Sequence, residues 1–141
     1  MLTVSHICLW VNDQDEARDF YVDKLGFELR EDTTMAGFRW LTLSPPDQPE
    51  LEISVVVPGG PALDPGTAQQ VRELMAKGVI GGLIFQTDDC RATYEELRAR
   101  GVEFTEEPQE RPYGVDSGFR DPSGNGFRLV QQLTVAPAPT A

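Results

Sequence analysis

The chain has 141 residues, of which 23 are acidic and 12 basic, so its formal net charge at pH 7 is −11 with His neutral. This length suits one domain or two small fused modules, and 40% hydrophobic residues are enough for a packed core. Nucleic acids and anionic membranes are bound through clustered Lys and Arg, so the acidic balance argues against both as partners.

The sequence carries no sign of export or of a membrane span. No apolar run approaches the roughly 18 residues that cross a bilayer, and Asp13, Asp15 and Glu16 follow the first apolar stretch, which argues against a signal peptide. Cys8 and Cys90 are too few for a disulfide framework. We therefore expect reduced thiols and a cytoplasmic protein.

The first half of the chain predicts one strand, one helix and three more strands. In order these are a strand at 2–11, a helix at 15–25 and strands at 27–31, 37–43 and 51–57. Asp13 is the expected N-cap of the helix, with Glu16 completing a capping box, and Gly26 ends it. The prolines of SPPDQPE favour a turn before the last strand.

The second half repeats this order after a connecting segment. Residues 58–66 predict a linker and 67–77 a short helix that Gly78 ends. A strand at 81–87, a helix at 90–100 capped by Asp88 or Asp89, and strands at 102–107, 115–120 and 126–132 follow. DPSGNG is a strong turn signal before the last strand. The predicted organisation of the single domain 1–141 is therefore module one at 2–57, linker and helix at 58–78, module two at 79–132 and a flexible tail at 133–141.

The two modules form an internal repeat. At an offset of about 76 residues, His6 aligns with Gly82 and Glu52 with Arg128. A half of this size buries too little surface to be a stable domain alone. We therefore expect two sheets that face each other, within one chain or across a dimer.

Strand alternation separates an apolar face from a mixed one. The apolar face, expected to pack on the helices, collects Ile7, Leu9, Leu51, Ile53, Val55, Leu83, Phe85, Phe127 and Leu129. The opposite face collects His6, Cys8, Trp10, Glu52, Ser54, Gly82, Ile84, Gln86, Arg128, Val130 and Gln132. Apolar walls with a few polar groups are typical of a ligand cavity.

Several segments in paired order resemble the vicinal oxygen chelate superfamily of glyoxalases, extradiol dioxygenases and bleomycin-resistance proteins. They are SHICLWV, ARDFYVDKLGFEL, LEISV, GGLIFQTDD, YEELRARGVEF and DPSGNGFRLVQ. The resemblance implies an α+β fold of paired βαβββ modules that form an incomplete barrel with an internal cavity. It also implies a homodimer and, in most members, a divalent metal inside the barrel.

The resemblance places two of the four metal-ligand positions on residues that cannot bind a metal. His6 and Glu52 match the first two positions, whereas Gly82 and Arg128 occupy the third and fourth. Zn²⁺ and Mn²⁺ sites need more ligands than two, and Arg stays protonated. We therefore expect no metal cofactor, unless the family chemistry is retained, and instead a Glu52–Arg128 interaction, direct or through a ligand.

Candidate site residues follow from the mixed face. Catalysis would use Glu52 and His6, the only histidine, as acid–base groups; the alternative for His6 is an inherited cavity residue without a catalytic role. Ligand contacts are expected from His6, Cys8, Trp10, Glu52, Ser54, Gln86 and Arg128. Arg128 could clamp a carboxylate or phosphate, or simply pair with Glu52. We expect Cys8 to be a buried, inert thiol and Cys90 a structural one. Trp10, Trp40 and Tyr113 are either ligand walls or core residues.

Three functional classes remain open from the sequence. The favoured one is a small-molecule-binding protein of the bleomycin-resistance type with a degenerate metal site. The alternatives are a metal-dependent lyase or dioxygenase and a metal-independent lyase or isomerase acting on an anionic substrate.

Overall fold

Eight strands and three helices build the part of the chain that the computed structural model describes, residues 1–133. The strands are β1 (His6–Trp10), β2 (Glu28–Met35), β3 (Phe38–Ser44), β4 (Glu52–Val56), β5 (Gly81–Gln86), β6 (Glu103–Arg111), β7 (Gly114–Arg120) and β8 (Gly126–Gln132). The helices are α1 (Gln14–Asp19), which continues as a π-helical segment (Phe20–Lys24), α2 (Pro65–Ala76) and α3 (Cys90–Ala99). The predicted tail lies, from residue 134 onward, outside the described residues.

The strands form two four-stranded mixed sheets with the same topology. The first has the order β1-β4-β3-β2 and the second β5-β8-β7-β6. In each sheet the first and last strands of the module pair in parallel, and the other pairs are antiparallel. The predicted α+β fold of paired βαβββ modules is therefore confirmed, and the two sheets do not close into a barrel.

The helix boundaries follow the capping residues. The Asp13 side chain accepts a hydrogen bond from the Glu16 amide at 2.9 Å, and Asp89 caps α3 in the same way. Helix α2 begins earlier than predicted because Asp64 caps it and Pro65 takes the first helical position, where no amide hydrogen is needed. Gly26 follows the π-helical segment with φ of 77°, a conformation that favours glycine.

One hydrophobic core receives side chains from both modules. It combines the apolar faces of the sheets with one face of each of α1 and α3; the buried members are Leu9, Val11, Ala17, Phe20, Tyr21, Phe27, Leu41, Leu43, Ile53, Val55, Cys90, Leu97, Val102, Phe119, Phe127 and Leu129. The aromatic rings of Phe85, Phe119 and Phe127 lie with centroids 5.5–5.6 Å apart. Because the apolar faces meet at this core, the mixed faces of both sheets point away from it.

The DPSGN turn before β8 connects the two modules by hydrogen bonds. Asp121 accepts from the amides of Ser123 and Asn125, each at 2.9 Å, which fixes the turn. The Asn125 side chain donates to the Trp10 carbonyl at 2.7 Å, and the Asn12 amide donates to the Ser123 hydroxyl at 2.8 Å. The turn predicted from the sequence thus also holds β1 of module one against module two.

Tyr21 adds a buried bond at the same seam. Its hydroxyl donates to the Asp121 carboxylate at 2.8 Å. Burial, together with the neighbouring carboxylate, raises the pKa of Tyr21 well above its ordinary value, so the phenol stays neutral. Within residues 1–133, no helix is long and apolar enough to cross a membrane.

Candidate functional site

The mixed face of the first sheet, here called the first polar face, carries His6, Cys8, Trp10, Trp40, Thr42, Ser44, Glu52 and Ser54. Strand register places His6 beside Glu52 and sets Cys8, Ser54 and Thr42 in one row across β1, β4 and β3. Residues two apart on a strand share a face, so Trp10 and Trp40 lie on the other side of that row from His6 and Glu52. The face therefore has a centre of small side chains between larger ones.

His6 and Glu52 form a close pair on this face. The Nε2 atom of His6 lies 3.5 Å from the Oε2 atom of Glu52, and the Ser5 hydroxyl lies 2.8 Å from Nδ1. The Thr42 hydroxyl donates to the other Glu52 oxygen at 2.8 Å. An imidazole oriented by a carboxylate is an arrangement that can accept and return a proton.

Three hydroxyl groups form the buried floor of the face. Thr42, Ser44 and Ser54 are all fully buried, yet the hydroxyls of Ser44 and Ser54 have no hydrogen-bond partner among residues 1–133. The rings of His6 and Trp40 reach across this floor, with centroids 5.7 Å apart. A buried hydroxyl without a partner has lost its hydrogen bonds to water, so a polar atom placed beside it would be stabilised by bonding to it.

The structure corrects the prediction for Cys8, which is exposed and not buried. The reason is that β1 is the edge strand of its sheet, and the first polar face turns away from the core. Cys90 is buried at the first position of α3, with its thiol 3.6 Å from the Leu129 carbonyl oxygen. Burial raises the pKa of the Cys90 thiol, and Asp116 adds to the effect, which favours the structural role.

The mixed face of the second sheet, here called the second polar face, is dominated by charges that neutralise one another. Arg128 donates to the Asp116 carboxylate at 2.7 Å and to Glu106 at 3.3 Å. Arg111 also contacts both carboxylates, lying 3.2 Å from Asp116. The Tyr113 hydroxyl donates to Asp116 at 2.7 Å.

Asp116 is the centre of this network and is 3% exposed. Burial alone would raise the pKa of its carboxyl, but hydrogen bonds from Arg128, Tyr113 and Arg111 outweigh that effect and hold the pKa below its ordinary value. Asp116 is therefore ionised in the folded protein, and Arg128 has a fixed partner.

The direct Glu52–Arg128 ion pair predicted from the sequence is wrong. Among residues 1–133, Glu52 pairs with His6, and Arg128 pairs with Asp116 and Glu106. Each residue finds its partner within its own sheet because neighbouring strands are about 4.8 Å apart, whereas the two mixed faces belong to different sheets. A contact between the two through a ligand stays a prediction.

The residue opposite Arg128 differs from the one that the repeat would place there. Glu52 lies in register with His6, and the repeat aligns His6 with Gly82, but a register irregularity in β5 places Ile84 in register with Arg128. Neither residue offers a metal ligand, and within residues 1–133 no three His, Cys, Asp or Glu side chains lie together as a metal site would need. The donor set of one imidazole and one carboxylate does not fit the divalent ion of the family.

The other predicted contacts are spread over both faces. Trp10 and Glu52 are half-buried, Ser54 is buried and Gln86 is exposed on β5, two residues beyond Ile84. The predicted site residues did not include Thr42, Ser44, Glu106, Arg111 and Asp116. The signal was available, since alternation along FRWLTLS and GVDSGFR places Trp40, Thr42 and Ser44, and likewise Asp116, on the mixed faces.

Comparison with known proteins agrees with this architecture. The family model of the glyoxalase/bleomycin resistance protein/dioxygenase superfamily matches residues 3–129. The crystal structure of UcmS2 is 47% identical, with a TM-score of 0.88 over 94% of this chain and 99% of that one. TnmS3, an antibiotic binding protein from Streptomyces sp. CB03234, is 31% identical, with a TM-score of 0.73 over 94% of this chain and 98% of that one.

A relative from Shewanella frigidimarina is 36% identical over 134 residues, which are 92% of this chain and 93% of that protein. Taken together, fold, repeat and similarity define the class. The chain belongs to the glyoxalase/bleomycin resistance protein/dioxygenase superfamily, and the predicted resemblance is confirmed.

Proposed function

We propose that the protein binds a small organic molecule on its first polar face without a divalent metal. The observation that carries this proposal is the buried floor, where the Ser44 and Ser54 hydroxyls, beneath the rings of His6 and Trp40, have no partner within the described part of the chain. A ligand that turns these rings aside and supplies hydrogen-bonding atoms there would satisfy both hydroxyls, while its apolar part lies against the displaced aromatic rings. Apolar walls with a few placed polar groups are typical of small-molecule sites.

The similarity to TnmS3, an antibiotic binding protein, supports an antibiotic-type natural product as the ligand class. The net charge of −11 would attract cationic members of that class over anionic ones at low ionic strength. The donor set of the face supports metal-independent binding, because only His6 and Glu52 remain of the family's ligand positions.

Two further expectations accompany the proposal. In a homodimer, a second copy of the chain would cover the exposed β2 strand and the exposed Met35 and Phe38 side chains. Light scattering of the purified protein tests it, and a mass of about 31 kDa, twice that of one chain, is expected. A cytoplasmic location stays a prediction that rests on the free thiols of Cys8 and Cys90.

Intrinsic fluorescence tests ligand binding at the proposed place, because the chain has two tryptophans and both lie on the first polar face. We would titrate the protein with metal-free bleomycin and with a panel of other natural-product antibiotics. We expect saturable quenching by at least one compound, unchanged by EDTA. His6→Ala should weaken that binding by about tenfold, the effect of losing a ring contact and a hydrogen bond.

Glu95→Gln provides the control, because Glu95 is exposed on α3 and is far in sequence from every residue of the first polar face. Binding that is abolished by EDTA, or a stoichiometric transition metal in the purified protein, would contradict metal-independent binding. If His6→Ala leaves the quenching unchanged, the ligand binds elsewhere on the protein and not on this face.

The His6–Glu52 pair favours a second candidate, a metal-independent lyase or isomerase. An imidazole 3.5 Å from a carboxylate can act as general base on a bound substrate. A His6→Gln variant separates the two candidates. Loss of turnover with retained ligand affinity would identify an enzyme, whereas equal loss of affinity in the absence of any turnover indicates binding alone.

A further inference from the structure

We propose that a cavity on the second polar face, separate from the hydroxyl floor, binds the anionic oxygen group of a ligand, a carboxylate or a phosphate. The cavity has a volume of about 300 Å³. Its polar lining residues are Thr105, Arg120 and Arg128; the glycines Gly78, Gly82 and Gly126 and the apolar Val79, Ile80, Phe119 and Phe127 complete the wall. A volume of this size is at the lower end of the range for ligand pockets, about 300–1,000 Å³.

The guanidinium groups of Arg120 and Arg128 pack directly against two glycines, Gly78 and Gly118, which have no side chain. A Cβ atom at Gly78 would lie 2.6 Å from the central carbon of the Arg120 guanidinium, and one at Gly118 would lie 2.6 Å from a nitrogen of Arg128. Any larger residue at Gly78 or Gly118 would therefore displace an arginine. A Cβ atom at Gly82, in contrast, would meet no atom within 4 Å, so the space beside Gly82 is open.

Arg120 is the cation that remains available in this cavity. Among the described residues it forms no ion pair within 4 Å, and its recorded hydrogen bond goes to the Lys77 carbonyl at 3.3 Å. Glu103 is its register partner on β6, yet the guanidinium is turned toward Lys77 and not toward this carboxylate. Four planar N–H groups of Arg120 are thus left for a carboxylate or phosphate, which guanidinium binds with two parallel hydrogen bonds.

The charges next to Arg120 leave its guanidinium without a salt bridge. Arg128 and Arg111 are matched by Asp116 and Glu106, so this network is neutral as a group. Arg120 lies beside the network and forms no salt bridge among residues 1–133, although Glu103 is its register partner on β6. The more distant acidic residues behind the net charge of −11 act on Arg120 only weakly, because interactions between exposed charges are largely screened beyond about 8 Å at physiological ionic strength.

This inference goes beyond the proposed function and does not rest on it, since it concerns a different face and a different chemistry. It also gives the substitution of the family's metal-ligand positions a chemical meaning. Where relatives place groups that bind a cation, this chain places a guanidinium at Arg128 and open space at Gly82.

The test is a titration of the ¹⁵N-labelled full chain with inorganic phosphate, followed by amide chemical shifts, at constant ionic strength set with chloride. We expect saturable shifts at Gly78, Gly82 and Gly126. Arg120→Gln should weaken phosphate binding by at least about tenfold, the scale of a lost charge-assisted hydrogen bond. Glu103→Gln should strengthen it, because it removes a neighbouring negative charge.

Arg100→Gln is the matched control, since Arg100 is also an exposed arginine that donates to a backbone carbonyl, that of Lys24. Thr105→Val, which removes only a hydroxyl, replaces Arg120→Gln should that variant lose the dispersed spectrum of a folded protein. Non-saturable shifts in the wild type, or equal losses in Arg120→Gln and Arg100→Gln, would overturn the anion site. The tryptophan titration described above reports on the first polar face, so either proposal can fail while the other stands.

Discussion

The two modules share one topology but use their polar faces in opposite ways. In module one, the face has a floor of buried hydroxyls, of which those of Ser44 and Ser54 have no hydrogen-bond partner in the residues that the structure describes. In module two, the central group, Asp116, receives hydrogen bonds from Arg128, Arg111 and Tyr113. The first face thus has unmet hydrogen-bonding capacity, and the second has an ion-pair network that satisfies its own centre.

This difference shows which part of the sequence determines the fold. Both modules keep the apolar face, the helix caps and the glycines that end helices, and both form the same sheet order. The polar-face residues have diverged from His6 and Glu52 to Ile84 and Arg128 without changing that order. Side chains that point away from the core can change chemistry because burial of the opposite face supplies most of the stability.

Removal of the Asp116 carboxylate should have the largest effect on stability. Asp116→Ala leaves two guanidinium groups and a phenol without their shared acceptor. Breaking a buried ion pair costs about 3–5 kcal/mol, and we expect about 2–3 kcal/mol here because the arginines can turn to water. Urea denaturation at pH 7 measures the difference in the free energy of unfolding.

Asp116→Asn keeps the shape and one acceptor, so it should lose only about half as much. The pH dependence provides a second check. Since the pKa of Asp116 is lowered in the folded state, its contribution to stability is present above the unfolded pKa of about 3.9 and is lost as the pH falls through the folded value. A difference between wild type and Asp116→Ala that does not shrink as the pH falls below about 3.9 would contradict the ionised network.

The seam between the modules should be the next most sensitive place. Tyr21→Phe removes the hydroxyl that donates to Asp121 and leaves a buried carboxylate with one bond fewer. We expect a loss of about 1–2 kcal/mol in the free energy of unfolding at pH 7. Tyr94→Phe is the control, since Tyr94 is also a buried tyrosine but its hydroxyl contacts Arg98 at 3.3 Å within one helix.

The stabilities of the wild type and of Tyr21→Phe should also depend differently on pH above pH 10. Because the pKa of Tyr21 is raised in the folded state, its contribution is present below the unfolded pKa of about 10 and is lost as the pH rises toward the folded value. Above pH 10 the wild type should lose up to about 1.4 kcal/mol per pH unit more than Tyr21→Phe. Parallel stability curves for the two proteins above pH 10 would show that Tyr21 ionises as easily in the fold as outside it.

The fold was predictable because its signals are local. Alternation, capping by Asp13 and the DPSGNG turn each depend on residues within a few positions, and the repeat supplied the order of the modules. Strand ends were less predictable: β6 extends to Arg111 because it pairs with β7 up to the hairpin, which its own sequence does not indicate.

The site was predictable only in part because its contacts join residues far apart in the chain. Alternation placed His6 and Glu52 on one face, and their pairing follows from the parallel register. The partner of Arg128 depends on how β7 and β8 align, and the irregularity in β5 shifts Ile84 into the place expected for Gly82. A repeat offset cannot detect such a shift, because it assumes the same register in both modules.

The smallest predicted effects distinguish the bonded hydroxyl of the first polar face from the unbonded ones. Thr42→Val removes a hydroxyl that donates to Glu52 at 2.8 Å, so it should cost about 1 kcal/mol. Ser54→Ala removes a fully buried hydroxyl that has no partner, so the free energy of unfolding should stay unchanged or rise by a few tenths of a kcal/mol. Urea denaturation of both variants without any ligand gives the comparison.

If Ser54→Ala were as destabilising as Thr42→Val, the Ser54 hydroxyl would already be satisfied in the free protein. The floor would then offer a ligand less hydrogen-bonding energy than the contrast between the two faces implies.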